Sequence, residues 1–380
     1  MNKAIKYRVY PTVEQCVLFA KTFGCCRKVY NLMLSDKVDS YNATGKFAPV
    51  TPAMYKEDYP YLKEVDSLAL ANKQMDLQAA FRNCFSRSRK KKNRFPRFKS
   101  AKHSRKTYTT NNQKGTVAII GNRIRLPKVG TVKAVIHRHP EIGWVVKSAT
   151  VSQESDGKYY ISVLFEFDVP AINHDIDVSN AIGLDYASDG LYVDHNGNKG
   201  TNHKFFRESH DRLAKEQRRL SRKTGSKKGS AKSNNYLKQL RRVNKIHRYI
   251  ANQRLDNLHK ISTEIANQYD VVCVENLNMR SMSNKGFGNG KATLDNGYGL
   301  FLNMLEYKLS DRGKYLVKVD KWFPSSQICH NCGTLHPEMK DLSVRVMDCD
   351  CGYRIGRDQN AALNILKEGL RLFEDPSYVT

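Results

Sequence analysis

Two kinds of residue in this chain stand at spacings that could do chemistry: carboxylates at the ends of apolar runs, and paired cysteines. Asp185 closes the run Ala181-Ile182-Gly183-Leu184, and Glu275 closes Val271-Val272-Cys273-Val274. Each run reads as a buried strand, where a charge is costly unless a cation compensates it. A third acid, Asp358, precedes Gln359-Asn360-Ala361-Ala362-Leu363-Asn364-Ile365, whose small and apolar residues suit a helix packed tightly on a sheet. Taken singly, Asp358 could be a helix cap; two strand-end acids with a third before such a helix are harder to produce by chance. Phosphodiester cleavage wants carboxylates converging on two Mg²⁺ ions, which activate water and stabilise the leaving oxygen. Asp189, Asp194 and Asp320 read as turn or surface residues.

The thiols point to a different metal. Cys329-His330-Asn331-Cys332-Gly333 and Cys349-Asp350-Cys351-Gly352 are two knuckles separated by sixteen residues. Tetrahedral Zn²⁺ needs four soft donors, and two short turns can each present a pair. The second knuckle is the short C-x-C form, so one ligand could be substituted, with His330 and His336 as fallbacks. Four protein ligands leave no open position, which makes this metal structural. The other five of nine cysteines (Cys16, Cys25, Cys26, Cys84 and Cys273) are scattered and read as small buried hydrophobes.

The elements that must position these groups are legible in the pattern. Residues 3–10 alternate polar and apolar as a strand ending at Pro11, and Thr12 to Gln15 is a capping box. Phe19, Phe23, Cys26, Tyr30 and Met33 mark one face of the helix that follows; a second helix starts near Ser67 and carries Leu70, Leu77, Ala80 and Phe81. From about 116 to 169 the pattern is β, with hairpin signals at Gly121-Asn122 and Asp156-Gly157. The strand at 3–10 lacks a local partner and is expected to join this sheet. Pro170 and the polar stretch to about 178 read as a linker. Beyond it, Leu191-Tyr192-Val193 should pair with the Asp185 strand. Gly225 and Gly229 divide a basic stretch into two helical arms, the second running through Leu258 and Ile265 into the Glu275 strand. A helix near 298–310 and a strand at Tyr315–Val319 lead to the cysteines.

Charge bounds the partners. Lys and Arg outnumber Asp and Glu by 64 to 37, a net +27 that repels itself unless a polyanion neutralises it. Residues 82–106 hold twelve Lys or Arg and no acid, with Phe85, Phe95 and Phe98 interleaved; residues 212–248 hold fourteen against Glu216 alone. Both stretches suit nucleic-acid contact better than a solvated face of mixed charge. No apolar stretch approaches a membrane span, and the first residues have no apolar signal core, so a cytoplasmic protein without a membrane partner is expected.

With these features in place, the chain resembles the TnpB family, transposon-encoded relatives of type V CRISPR effector nucleases. The resemblance is carried by Tyr7-Arg8-Val9-Tyr10-Pro11-Thr12, Phe95-Pro96-Arg97-Phe98-Lys99-Ser100, Gly183-Leu184-Asp185, Val274-Glu275-Asn276-Leu277, Pro324-Ser325-Ser326-Gln327 and Arg357-Asp358-Gln359-Asn360-Ala361-Ala362, in that order. It implies an α/β, multi-domain chain: an RNase H-like (RuvC) nuclease domain at 179–325 and 354–370 with an inserted zinc ribbon at 326–353. An N-terminal wedge β-barrel at 1–10 and 105–172 would be interrupted by a helical recognition domain at 11–104, and 371–380 would be a flexible tail. The implied activity is RNA-guided cleavage of double-stranded DNA beside a short transposon-associated motif. The guide would be a noncoding RNA from the transposon end, and Asp185, Glu275 and Asp358 the Mg²⁺-binding catalytic acids. A guided protein that binds DNA without cutting is the alternative, although such a relative should have lost at least one acid. Gly356, where the family often has Asp, and the short second knuckle depart from the pattern without removing a catalytic carboxylate.

Overall fold

A computed structural model describes residues 2–86, 95–102, 104–168, 175–201, 203–227, 229–279 and 295–375. The chain divides into two compact units, Met1–Pro170 and Ala171–Thr380. Much of the basic run at 82–106 (87–94 and 103), part of the expected linker (169–174) and the last five residues of the expected tail lie outside the described residues.

In the first unit, β1 (Asn2–Tyr10) is followed by α1 (Val13–Thr44) and α2 (Ser67–Phe85), then by β2 (Lys106–Asn111), β3 (Ala118–Ile120), β4 (Arg123–Leu126), β5 (Gly130–Val135), β6 (Val145–Gln153) and β7 (Tyr159–Glu166). The seven strands form one sheet in the order β2-β6-β7-β1-β5-β4-β3. β1 does find distant partners: it lies antiparallel between β7 and β5, with Ile5 opposite Val163 and Tyr7 opposite Ile161. Ile5, Tyr7 and Val9 point to one side and are buried, as the alternation requires. Thr12 and Gln15 cap α1 reciprocally, and the face marked by Phe19, Phe23, Cys26, Tyr30 and Met33 is buried against this core. Among the described residues β2 and β3 remain as the two edges of the sheet. β2 escapes a reading by hydrophobic alternation because Lys-Thr-Tyr-Thr-Thr-Asn has one large apolar residue, Tyr108. Its other buried residue, Thr110, faces Asp66 at the cap of α2 and hydrogen-bonds its carboxylate.

The second unit is three-layered. Its sheet runs β11-β10-β8-β9, where β8 is Ala181–Tyr186, β9 Tyr192–Asp194, β10 Val271–Glu275 and β11 Tyr315–Val319. β8, β10 and β11 are parallel, and β9 turns back antiparallel on β8. Between β9 and β10 come α3 (Phe205–Glu208), α4 (His210–Ser221) and the 35-residue α5 (Asn234–Gln268). α6 (Tyr298–Ser310) joins the C-terminal part of α5 on one face of the sheet: Leu258, Ile265, Phe301, Leu305 and Leu309 pack on Ile182, Leu184, Val272 and Val274. α7 (Arg357–Phe373) covers the other face, with Ile365, Leu366 and Leu370 against Ala181, Val271, Cys273, Val317 and Val319. Parallel strands buried on both faces explain the unbroken apolar runs before Asp185 and Glu275. α7 continues three residues into the segment expected to be a flexible tail, because Phe373 packs edge-on against Tyr315, ring centroids 5.0 Å apart.

The α7 layer sits close because glycine lets it. A Cβ at Gly183 on β8 would overlap the Ala362 carbonyl oxygen and come within 2.7 Å of Leu366 Cβ; a Cβ at Gly369 would strike Cys273. Between β11 and α7 the cysteine segment folds as two knuckles and a small ribbon, β12 (Val346–Asp348) antiparallel to β13 (Arg354–Gly356).

Candidate active site and metal cluster

Strand register sets the first two acids side by side. Leu184 on β8 is the partner of Val274 on β10, so the next residues, Asp185 and Glu275, leave the same end of two adjacent parallel strands. That carboxyl end is where ligands bind in parallel sheets. Asp358 is in the first turn of α7, whose descent onto Gly183 brings the helix start to the same place. All three acids line one cavity of about 700 Å³.

The electrostatics of that cavity are those of a cation site. Burial first, then the charges of Glu275 and Asp358, push the half-buried Asp185 carboxyl well above the usual carboxylate range. The Tyr186 backbone amide and the Arg357 guanidinium act in the opposite sense. Burial alone raises Glu275 to about 7. Several like charges crowded into a poorly solvated space take up protons unless a metal cation compensates them. The acids share a wide cavity and do not form the kind of closed nest of donor atoms that the thiols make. Lys199, Lys321, Arg345 and Arg357 line the same cavity and supply positive charge.

Several residues that frame the site carry no obvious mark in the sequence. Asn296 donates its side-chain amide to the carbonyls of Ala187 (3.0 Å) and Ser188 (3.2 Å), fixing the loop after Asp185. Tyr298 is fully buried against Tyr186; its hydroxyl has no hydrogen-bond partner among the described residues, and burial followed by the charges of Asp185 and Glu275 raises its pKa. Asn360 and Asn364, one turn apart on α7, hold the loop that follows β11. Asn364 donates to the carbonyls of Ser325 (2.8 Å) and Ile328 (2.7 Å), and Asn360 to that of Ile328 (2.8 Å). The only sequence signal was their four-residue spacing beside Asp358. Asp194 and Asp320 do cap turns, accepting from the amides of Asn196 and Trp322. Asp189 is exposed but lines the cavity, paired with Lys199 at 2.6 Å.

The four thiols converge. Among the described residues, Cys329, Cys332, Cys349 and Cys351 form the single cluster whose ligand atoms all lie within 4.8 Å of one another. The sulfur of Cys329 is 3.8 Å from that of Cys351, and that of Cys332 is 3.5 Å from that of Cys349. A tetrahedron with Zn–S bonds of about 2.3 Å has edges of about 3.8 Å, so the donor set fits Zn²⁺. Gly333 and Gly352, each just past a knuckle, adopt φ of 80° and 83°, the left-handed turn that lets both sulfurs of a pair face inward. The short knuckle therefore still delivers two ligands. Neither histidine is needed: His330 Nδ1 meets Asn364 Oδ1 at 3.2 Å and His336 Nδ1 meets Glu338 at 2.9 Å. Next to Thr334, whose side chain and then backbone hydrogen-bond the sulfur, the Cys332 thiol is brought down to about 6.

Similarity to known proteins extends over most of the chain. Residues 164–285 match a family described as "Probable transposase", residues 298–365 a "Cas12f1-like, TNB domain", and residues 1–46 a "Helix-turn-helix domain". Structurally, that last segment is β1 and one long helix. A "Putative RNA-guided DNA endonuclease" of Streptomyces pristinaespiralis is 35% identical over 97% of this chain and 90% of its own length. A protein of the same description from Escherichia coli K12, InsQ, is 30% identical over 97% of this chain and 92% of its own. Among solved structures, a Cas12f1 chain in complex with sgRNA and target DNA superposes with a TM-score of 0.60 at 15% identity, covering 96% of this chain and 98% of that one, a likeness of fold. No helix among the described residues is long and apolar enough to cross a membrane.

Proposed function

This chain belongs to the TnpB family, and on that footing we propose that it is an RNA-guided endonuclease that cuts double-stranded DNA by hydrolysing phosphodiesters at the Asp185, Glu275 and Asp358 cavity. The observation that carries the reading is the meeting of three acids from β8, β10 and α7 in one basic-rimmed cavity. On this reading the second unit is an RNase H-like (RuvC) domain interrupted by a zinc ribbon at 326–353, and the first is a wedge interrupted by a recognition region at 11–104. The guide would be a noncoding RNA from the transposon end, and a short flanking motif would license the target. In such a system base pairing reads sequence, while the protein reads backbone and duplex shape.

Asp185, Glu275 and Asp358 would hold two Mg²⁺ ions. When bound, such ions make water a competent nucleophile and stabilise the charge on the departing oxygen. The chain itself contributes the rest. Asp185 and Glu275 are held rigidly by strands buried on both faces, so little reorganisation is needed as charge develops. Lys199, Lys321 and Arg345 draw a phosphate to the opening, and Arg357 offsets part of the repulsion among the acids. Cys329, Cys332, Cys349 and Cys351 would bind Zn²⁺ and hold the ribbon, leaving no coordination position for a substrate.

The test is cleavage by purified protein carrying its co-expressed RNA, with Mg²⁺ and a target bearing randomised flanks. Asp185→Ala, Glu275→Ala and Asp358→Ala should each take cutting below detection while guide and target binding stay near wild type. Equal loss of binding and cutting would give these acids a structural role. Wild-type binding without cutting would favour a guided repressor.

A further inference from the structure

Trp322 is 80% exposed, and it lines the same cavity as Asp185, Glu275 and Asp358. An indole left in water contributes nothing to the core. The chain's other tryptophan, Trp144, lies flat on Phe167 at 4.3 Å with 5° between planes; among the described residues no aromatic ring packs on Trp322. Its ring neighbour is a cation, the Lys321 ammonium 4.6 Å from the centroid.

The backbone that presents this ring is fixed. The Trp322 amide donates to Asp320 Oδ1 (2.8 Å), the Phe323 amide to the Asp320 carbonyl (3.0 Å) and the Ser325 amide to the Phe323 carbonyl (2.8 Å). Asn360 and Asn364 then clamp the loop to α7, the helix that carries Asp358. The backbone at Trp322 is therefore held in register with α7 and its carboxylate. Resting on the nuclease reading above, we infer that Trp322 is a stacking platform for an unpaired base of the strand being cut, next to the scissile phosphate. An exposed indole on a fixed backbone, an adjacent ammonium and a group of carboxylates in one cavity match a base, its phosphate and the cations around it. Paired bases inside a duplex have no free π-face to offer, so the cavity selects a strand that has already been unwound.

Base–aromatic stacking changes affinity by roughly tenfold or more per base. With the RNA-loaded protein, Trp322→Ala should slow single-turnover cutting about tenfold, leave guide and target affinity unchanged, and be largely rescued by Trp322→Phe. An abasic nucleotide stepped along the cut strand should slow wild type at one position beside the cut and have no further effect there on Trp322→Ala. In a Trp144→Phe background Trp322 is the sole tryptophan, and its emission should be quenched when a single-stranded oligonucleotide binds. Wild-type rates in Trp322→Ala, or an abasic penalty equal in both proteins, would overturn the inference. If the wild-type protein does not cut at all, the nuclease reading fails, and the emission of Trp322 still decides: no quenching by single-stranded DNA ends the stacking role.

Discussion

At the scale of residues, protons and cations compete for the acid cavity. Glu275, raised to about 7 by burial, and Asp185, raised by burial and then by its two acidic neighbours, bind protons more tightly folded than unfolded. For Glu275 the sign follows directly: without metal, its stabilising contribution is complete below the ordinary value of 4.5 and is lost as pH rises from there through about 7. A divalent cation reverses the preference, since it needs the deprotonated carboxylates. Mg²⁺ should therefore raise the melting temperature more at pH 8 than at pH 5.5, and Asp185→Ala should erase the difference. Equal shifts at both pH values, measured by thermal unfolding with and without Mg²⁺, would place the cation elsewhere.

At the scale of elements, the site depends on how closely α7 approaches the sheet. Gly183 and Gly369 remove the two Cβ atoms that would hold it away, at Ala362 and at Cys273. Gly183→Ala forces backbone against backbone and should cost about 1–3 kcal/mol. It should also lower cutting by moving Asp358 relative to Asp185. Denaturant unfolding with parallel cleavage rates checks both, and wild-type stability would mean that the helix slides without penalty. The thiol cluster makes a separate prediction. Cys329→Ser with Cys332→Ser should abolish bound zinc, measured by metal analysis, and lower the thermal stability of the C-terminal unit, as chelation of the wild-type protein should. Unchanged unfolding with no zinc in either protein would remove the metal from the ribbon.

For the whole molecule, the net charge of +27 makes nucleic-acid affinity depend on salt. One place where this charge is organised is the arm formed by α4 and α5, where Arg212, Arg242 and Lys245 line a cavity of about 580 Å³ together with Glu216 and the exposed Tyr249. Replacing all three by Gln should reduce the slope of log affinity against log salt by about 2 to 3, at about 0.7 to 0.9 per lost phosphate contact. An unaltered slope would make the arm ordinary surface.

Much of this was decided locally and so could be read from the chain. The strands ending in Asp185 and Glu275, the capping box at Thr12, the face of α1 and the two knuckles depend on neighbours within a few residues, and periodicity and turn chemistry report such neighbours. β2 was hidden because its threonines are held by pairing with β6 and by Asp66, which lies forty-four residues from Thr110. Asn296, Tyr298, Asn360 and Asn364 were hidden for the same reason, since each acts on a backbone or charge distant in sequence. Three acids in sequence can only suggest a common centre. Parallel register between β8 and β10, and a helix admitted by Gly183, are what bring them to one cavity, because side chains from separate elements meet only when the layers between them have packed.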